Sequence, residues 1–276
     1  MTLNICIMKK ILVPVFVVAL AACGTQQKTP VTSQPPATSN MIADGKLFTS
    51  FFQQRAAEYK ALCFQSYNIA TLRLDQSLQT STAKPRAVVT DIDETLLDNS
   101  AYSVHQGLQG KDYDIATWMQ WTALGQADTL AGALTFFKYA AANNVEVFYI
   151  TNREEKERQG TLNNLKKFGF PYADEQHLIT KQTTSSKEAR RQNVAATHDI
   201  VLLLGDNLAD FSALFDKKTE QERLQNVQQN AAAFGKKFIV LPNANYGDWE
   251  SALYQYNYKL TATQKDSVIK SVLKSY

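Results

Sequence analysis

The chain has 276 residues, 45% hydrophobic and 20% charged, with a formal net charge of +3. That composition excludes a disordered or fibrous chain and suits one globular domain with at most a small appended lobe. No run of Lys and Arg is interleaved with aromatics, which argues against a nucleic acid polymer as partner.

Met8-Lys9-Lys10 forms a positive n-region, followed by an apolar stretch over residues 11–22 that is too short to span a bilayer. Met8 is an alternative start to Met1. The stretch ends in "LAACG", residues 20–24. Small residues before a cysteine resemble a bacterial lipobox, which implies a signal peptide over 1–22 and lipid on Cys23. Gly24, where an Asp would retain the protein at the inner membrane, favours the outer membrane by analogy. Residues 24–40 are rich in Gln, Thr, Ser and Pro and cannot pack. A flexible tether is therefore expected over 23–43, and a folded domain over 44–276. Of three cysteines, only Cys63 falls within that domain, where a packed, inert thiol is expected.

Along the domain, helical and extended patterns alternate. Residues 44–79 read as a long amphipathic helix, broken once. Arg86–Thr90 reads as a strand, 131–143 as a helix, and "VEVFYI" (145–150) as a second strand. Residues 153–169 have a helical pattern ending at Gly169. Leu178–Thr180 reads as a third strand and 185–196 as a helix, with Lys187 just inside its start and Ser185 or Ser186 as cap. "DIVLLLGD" (199–206) is apolar on both faces, as central parallel strands are, and 238–241 is a fifth strand. These alternations predict an α/β fold with a central parallel sheet covered on both faces. Residues 99–128 fit neither period and read as a loop rich in aromatics, inserted above the carboxyl end of the first strand. In open parallel sheets, ligands bind there.

The first strand runs into "DIDET", residues 91–95. Residues two apart on an extended segment project to the same side, so Asp91 and Asp93 converge. Asp206 and Asp210, in "GDNLADF", follow the other strongly apolar strand. If the two strands are neighbours, four carboxylates meet in one crevice and a cation must offset them. Hard oxygen ligands, with no His or Cys in the set, point to Mg²⁺. The three histidines, His105, His177 and His198, show no metal-ligand spacing. Thr151 and Asn152 end the second strand and offer a hydroxyl and an amide to phosphate oxygens. Lys187 can neutralise a carboxylate and a bound phosphate together.

The order Asp-x-Asp, strand-Thr, Lys, Gly-Asp-x-x-x-Asp resembles the haloacid dehalogenase superfamily. "VVTDIDETLLDNSAY", "VFYITNR", "VLLLGDNLADF" and "FIVLPNANYGDWE" look more narrowly like the bacterial class C acid phosphatases, the lipoprotein e type. The similarity spans about residues 50–255. It implies a Rossmann-like core with a small lobe made by the N-terminal helix and the insertion after strand one. It also implies hydrolysis of phosphomonoesters with Asp91 as nucleophile and Asp93 as general acid and base. Mg²⁺ would be held by Asp91, the Asp93 main-chain carbonyl and Asp206, with Asp210 in support. Thr151, Asn152 and Lys187 would hold phosphoryl oxygens. Trp118 and Tyr246, and more weakly Tyr102, would stack on nucleoside monophosphates or aryl phosphates. Transport ATPases of the superfamily carry no acidic residue where Asp93 stands, so the resemblance is to a phosphatase. Glu94 reads as structural. The alternatives are a sugar phosphatase or phosphomutase of the same superfamily, or a surface binding lipoprotein with a vestigial site.

Overall fold

The computed structural model describes residues 40–276. The signal peptide, Cys23 and most of the expected tether lie outside the described residues. Helix α1 (Met41–Arg55) starts three residues earlier than expected, because the Asn40 side chain caps it by accepting from the Ala43 amide at 3.1 Å. After a break at Ala56, α2 (Ala57–Leu78) buries Tyr59, Cys63, Tyr67, Ala70 and Leu74, a spacing that keeps one helical face on the core.

Strand β1 (Arg86–Thr90) is followed by a two-residue strand β2 (Leu97–Asp98), helices α3 (Ser100–Gly107) and α4 (Ile115–Leu124), and β3 (Asp128–Thr129), which pairs antiparallel with β2. The aromatic segment after β1 is therefore largely helical, not a loop. Asp114 caps α4 by accepting from the Thr117 amide at 3.0 Å, and Gly125 ends it in the left-handed conformation. The sequence of α4, "IATWMQWTAL", is apolar on nearly every side and so lacks the polar–apolar period that would reveal a helix.

Then follow α5 (Ala133–Ala142), β4 (Glu146–Glu154), α6 (Arg158–Phe168), β5 (Leu178–Lys181), α7 (Glu188–Thr197), β6 (Asp199–Gly205), α8 (Glu220–Gln229), β7 (Phe238–Val240), α9 (Asp248–Leu253) and α10 (Ala262–Val272). Strand β4 runs four residues beyond expectation, so that residues 151–154 are extended and not helical. The five long strands form one parallel sheet in the order β5-β4-β1-β6-β7.

Alternation along β1 divides the core. Val88 packs on one face with Tyr67, Leu74, Phe136, Phe137, Leu162 and Leu165, from α2, α5 and α6. Ala87 and Val89 pack on the other with Val194, Phe211 and Leu203. Helices thus cover both faces, as a buried parallel sheet requires. Cys63 is fully buried in the first cluster. No helix of the described residues is long and apolar enough to cross a membrane.

Candidate active site

The central position of β1 places its carboxyl end between the ends of β4 and β6. Asp91 leaves the sheet there, its amide still donating to the Leu204 carbonyl at 3.0 Å. The next residues turn sharply: the amides of Leu96 and Leu97 both donate to the Ile92 carbonyl at 3.0 Å. Glu94 adopts φ 52°, the left-handed region that a non-glycine residue occupies only at a cost. Its buried carboxylate offsets that cost by accepting from the Asn99 amide at 2.8 Å and from the Tyr246 hydroxyl. Burial, with the nearby Asp93 charge, pushes Glu94 up to about 8.

Strand β6 delivers the second acidic pair. Gly205 ends it because a Cβ there would lie 2.4 Å from the Asp210 side chain. That close approach turns Asp210 back over the strand end, where its carboxylate accepts from the Asn207 amide at 3.0 Å. Asp206 accepts from Asn243 Nδ2 at 2.7 Å and Thr95 Oγ1 at 3.3 Å. Asp91, Asp206 and Asp210 each bring a carboxylate oxygen within 4.8 Å of the others.

Among the described residues, Lys187 is the cation that pairs with this trio. Lys187 Nζ pairs with Asp91 and lies 2.7 Å from Asp210 Oδ1. Lys187 is itself the cap residue of α7, not inside the first turn, and Ser186 Oγ, just before it, accepts from the Glu188 amide at 3.4 Å. Burial alone would lower the Lys187 pKa, but the Asp210 and Asp91 carboxylates raise it above its ordinary value. One ammonium does not balance three carboxylates. Burial, the main cause, together with Asp210 and Asp93 holds Asp91 at about 7 despite Lys187. Burial, Asp210 and Asp91 hold Asp206 well above the carboxylate range. Such a set of hard oxygen donors short of positive charge fits a divalent cation of the Mg²⁺ kind.

Asp93 stands apart from the trio. Its side chain is not one of the three clustered carboxylates; instead Arg153 grips it, with Nη2 2.7 Å and Nε 3.1 Å from Oδ1. Asn99 Nδ2 adds a third donor to Oδ1 at 2.9 Å. The four aspartates do meet in one cleft, where the side chains of Asp91, Asp206 and Asp210 cluster and Asp93 would offer its main-chain carbonyl, not its carboxylate. Sequence reasoning passed over Arg153 and Asn99. It also passed over Arg190, which donates to the Thr151 carbonyl at 2.6 Å and to Asn152 Oδ1 at 2.7 Å, and Arg191, which holds the Ala209 and Asp210 carbonyls at 2.9 Å. The available signal was a basic pair, "KEARR", directly after a lysine already singled out.

A cleft of about 620 Å³ gathers most of the expected residues: Asp91, Asp93, Asn152, Lys187, Asp206, Asp210, Tyr102, Trp118 and Tyr246 all line it. Thr151 is fully buried beneath it, its hydroxyl 3.5 Å from Asp93 Oδ2. Tyr102 and Trp118 meet edge to face at 5.1 Å, and the Tyr102 hydroxyl is tied to Asp114 and Thr117, so Tyr102 braces the wall. His177 and His198 flank Glu146 at 3.2 and 3.3 Å, at the start of β4, and no histidine lines this cleft.

An acidic Asp-x-Asp turn on the central strand of an open parallel sheet, joined by a buried lysine and a second acidic pair, defines a phosphoryl-transfer site of the haloacid dehalogenase type. Residues 18–249 match the family described as HAD superfamily, subfamily IIIB (acid phosphatase), and the chain belongs to that family. Among solved structures, it is similar to the class C acid phosphatase of Bacillus anthracis, with 41% identity and a TM-score of 0.82, over 85% of this chain and 99% of that one. The same enzyme with tungstate bound gives 40% identity and a TM-score of 0.83, over 86% and 100%. Acid phosphatase 1 of Solanum lycopersicum is 29% identical over 130 residues, 44% of this chain and 50% of its own length. The chain spans about half the length of the curated relatives it matches.

Proposed function

We propose that this protein is a Mg²⁺-dependent acid phosphatase that hydrolyses nucleoside monophosphates and aryl phosphates through a phosphorylated Asp91. The observation that carries the reading is the position of Asp91: at the end of the central strand, paired with Lys187, within reach of Asp206 and Asp210, and open to a cleft lined by Trp118 and Tyr246. The Bacillus anthracis relative binds tungstate, an oxyanion shaped like phosphate, which supports a phosphoryl site here.

Asp91 attacks phosphorus, and a P–O bond to its carboxylate forms as the ester P–O bond breaks. Asp93 gives its proton to the departing oxygen. Asp93 then takes a proton from water as that water attacks phosphorus and releases Asp91. Thr151, Asn152 and Lys187 hold phosphoryl oxygens; positioning and charge compensation are most of what such a transfer needs. Asp91, the Asp93 main-chain carbonyl and Asp206, with Asp210 in support, would hold the cation, which would supply positive charge to offset the phosphoryl oxygens. An Asp at position 93 supplies the base that turns the intermediate over, which favours an active site over a vestigial one; a substrate panel separates it from a sugar phosphatase or phosphomutase.

The lipid anchor belongs to the same proposal. "LAAC" before residue 24 supports lipidation of Cys23 and a place at the bacterial cell envelope, at the outer membrane by analogy with Gly24. Labelling with a radioactive fatty acid tests it, with incorporation lost in Cys23→Ala. The catalytic reading is tested with p-nitrophenyl phosphate, with added Mg²⁺ and with EDTA. Turnover that EDTA abolishes and Mg²⁺ restores is expected. Absence of metal-dependent turnover overturns it.

A further inference from the structure

Arg153 belongs to neither the four aspartates nor the phosphate-holding set, yet it is buried and firmly held at the cleft. Its side chain is 1% exposed. Nε lies 3.1 Å from Asp93 Oδ1 and 3.2 Å from Oδ2, Nη2 lies 2.7 Å from Oδ1, and Nη1 donates to Thr161 Oγ1 at 3.0 Å. The Thr161 hydroxyl in turn donates to the Glu157 carbonyl at 2.8 Å, which fixes the far end of the fork to α6. The guanidinium carbon sits 5.9 Å from the Trp118 ring, within cation–π range.

The two oxygens of Asp93 are treated differently. Oδ1 receives Arg153 Nε, Arg153 Nη2 and Asn99 Nδ2, more donors than its two lone pairs accommodate. Oδ2 receives only the longer Nε contact and the Thr151 hydroxyl at 3.5 Å. Asn99 is 1% exposed and fully committed, since its Oδ1 accepts from Trp121 Nε1 at 2.9 Å. That commitment explains why Asn99 begins α3 without capping it.

We infer that Arg153 is a positioning residue which, with Asn99, saturates Asp93 Oδ1 and so makes Oδ2 the oxygen that exchanges the proton, while its contact with Trp118 ties that orientation to the aromatic wall of the cleft. This rests on the role proposed above for Asp93. In the first step, the bond from Oδ2 to hydrogen breaks as the ester oxygen gains that proton and leaves phosphorus. In the second, water gives its proton to Oδ2 as its oxygen joins phosphorus. A carboxylate free to rotate presents Oδ2 correctly only part of the time. A lysine in place of Arg153 keeps the charge but loses the fork.

The test uses the full chain with Mg²⁺ and follows the first step in rapid mixing, with p-nitrophenyl phosphate and with glycerol 3-phosphate. Arg153→Lys should slow glycerol release by about 10–100-fold, a part of the ~10²–10⁴-fold that general-acid help supplies, because an alkoxide cannot leave unprotonated. The p-nitrophenol burst should slow by about threefold or less, since that ion leaves unaided. Arg153→Ala should show the same selectivity, and millimolar guanidinium should restore part of its glycerol release; if that variant does not fold, Arg153→Lys carries the test alone. Equal loss of both first steps, or no loss in either, overturns the inference. A wild-type chain inactive on both substrates overturns instead the phosphatase reading beneath it.

Discussion

Lys187 Nζ lies 2.7 Å from Asp210 Oδ1, and neither side chain is more than 6% exposed. The same ammonium pairs with Asp91, so a single buried cation serves two acids from different strands. Replacing Lys187 by Met leaves both carboxylates buried without that partner. Breaking a buried pair in this way typically costs about 3–5 kcal/mol. Urea denaturation in EDTA should show a loss of that order, with Mg²⁺ recovering part of it. A loss near zero in EDTA would mean that Lys187 does not balance the acids; turnover should also fall, through loss of the proposed contact to phosphate.

The raised acids make stability depend on pH when no divalent cation is bound. Asp91 stands at about 7 and Glu94 at about 8, both above their ordinary values, chiefly through burial. A folded pKa above the unfolded one gives stability that is full below the unfolded pKa and lost as pH rises through the folded one. In EDTA the melting temperature should therefore fall between about pH 4 and pH 8. Mg²⁺, held by the ionised carboxylates as proposed, should flatten that decline. A melting temperature that rises steadily from pH 5 to 8 in EDTA would show that these acids are ionised in the fold at no cost.

Much of this site is legible in the sequence, and what is not has physical reasons. Asp91, Asp206 and Asp210 can be read because apolar strands end in charge, and a run of carboxylates there has few purposes. The five strands are legible from their length and apolarity. Helices α3 and α4 are not, since α4 is apolar all round and Asn99, at the start of α3, spends its side chain on Asp93 and Trp121. Arg153 is illegible for another reason. An arginine at a strand end is ordinarily a solvated surface residue, and only the long-range partner sixty positions away shows otherwise. The cleft wall from Tyr254 to Lys265 was not foreseen either, as the resemblance stops near Tyr254. Lys265 pairs with Asp112 at 2.8 Å, beside the Lys46 pair, and so fastens α10 to the segment between α3 and α4.

That fastening is testable. Burial acts upward on Asp112, but the Lys46 and Lys265 partners outweigh it and bring the carboxyl down to about 2. Asp112→Asn should loosen the docking of α10 at neutral pH, read as faster amide exchange over residues 262–272. A depressed folded pKa means the stabilisation is present above the unfolded pKa and is lost as pH falls through about 2. Unchanged exchange in the variant would place the docking energy in other contacts.

Trp118→Ala should impair nucleoside monophosphates more than glycerol 3-phosphate. Stacking on a base is worth roughly 1–3 kcal/mol in single-strand binding sites, an upper guide here. The ratio of kcat/KM values is the measurement, and equal losses would make Trp118 a packing residue alone. Tyr246→Phe keeps a ring but removes the hydroxyl that Glu94 accepts from, and should raise KM more than it lowers kcat.

Asp206→Asn removes one anionic oxygen from the clustered set and should raise the Mg²⁺ concentration needed for half-maximal activity by about tenfold or more. An unchanged requirement at low metal would remove Asp206 from the ligands.

Phosphoryl transfer to Asp91 is tested most directly by rapid mixing of the Asp93→Asn variant with p-nitrophenyl phosphate. On the proposed mechanism the nucleophile is intact, the leaving group departs without a proton, and only the base for the second step is missing. One equivalent of p-nitrophenol per chain should appear in a burst and then stall, with a hydroxylamine-labile phosphate on the peptide that carries Asp91. A nucleoside monophosphate should give little or no burst, because its ribose oxygen lacks the donor. Equal loss of the first step on both substrates, or a burst with no phosphate on Asp91, would contradict the mechanism.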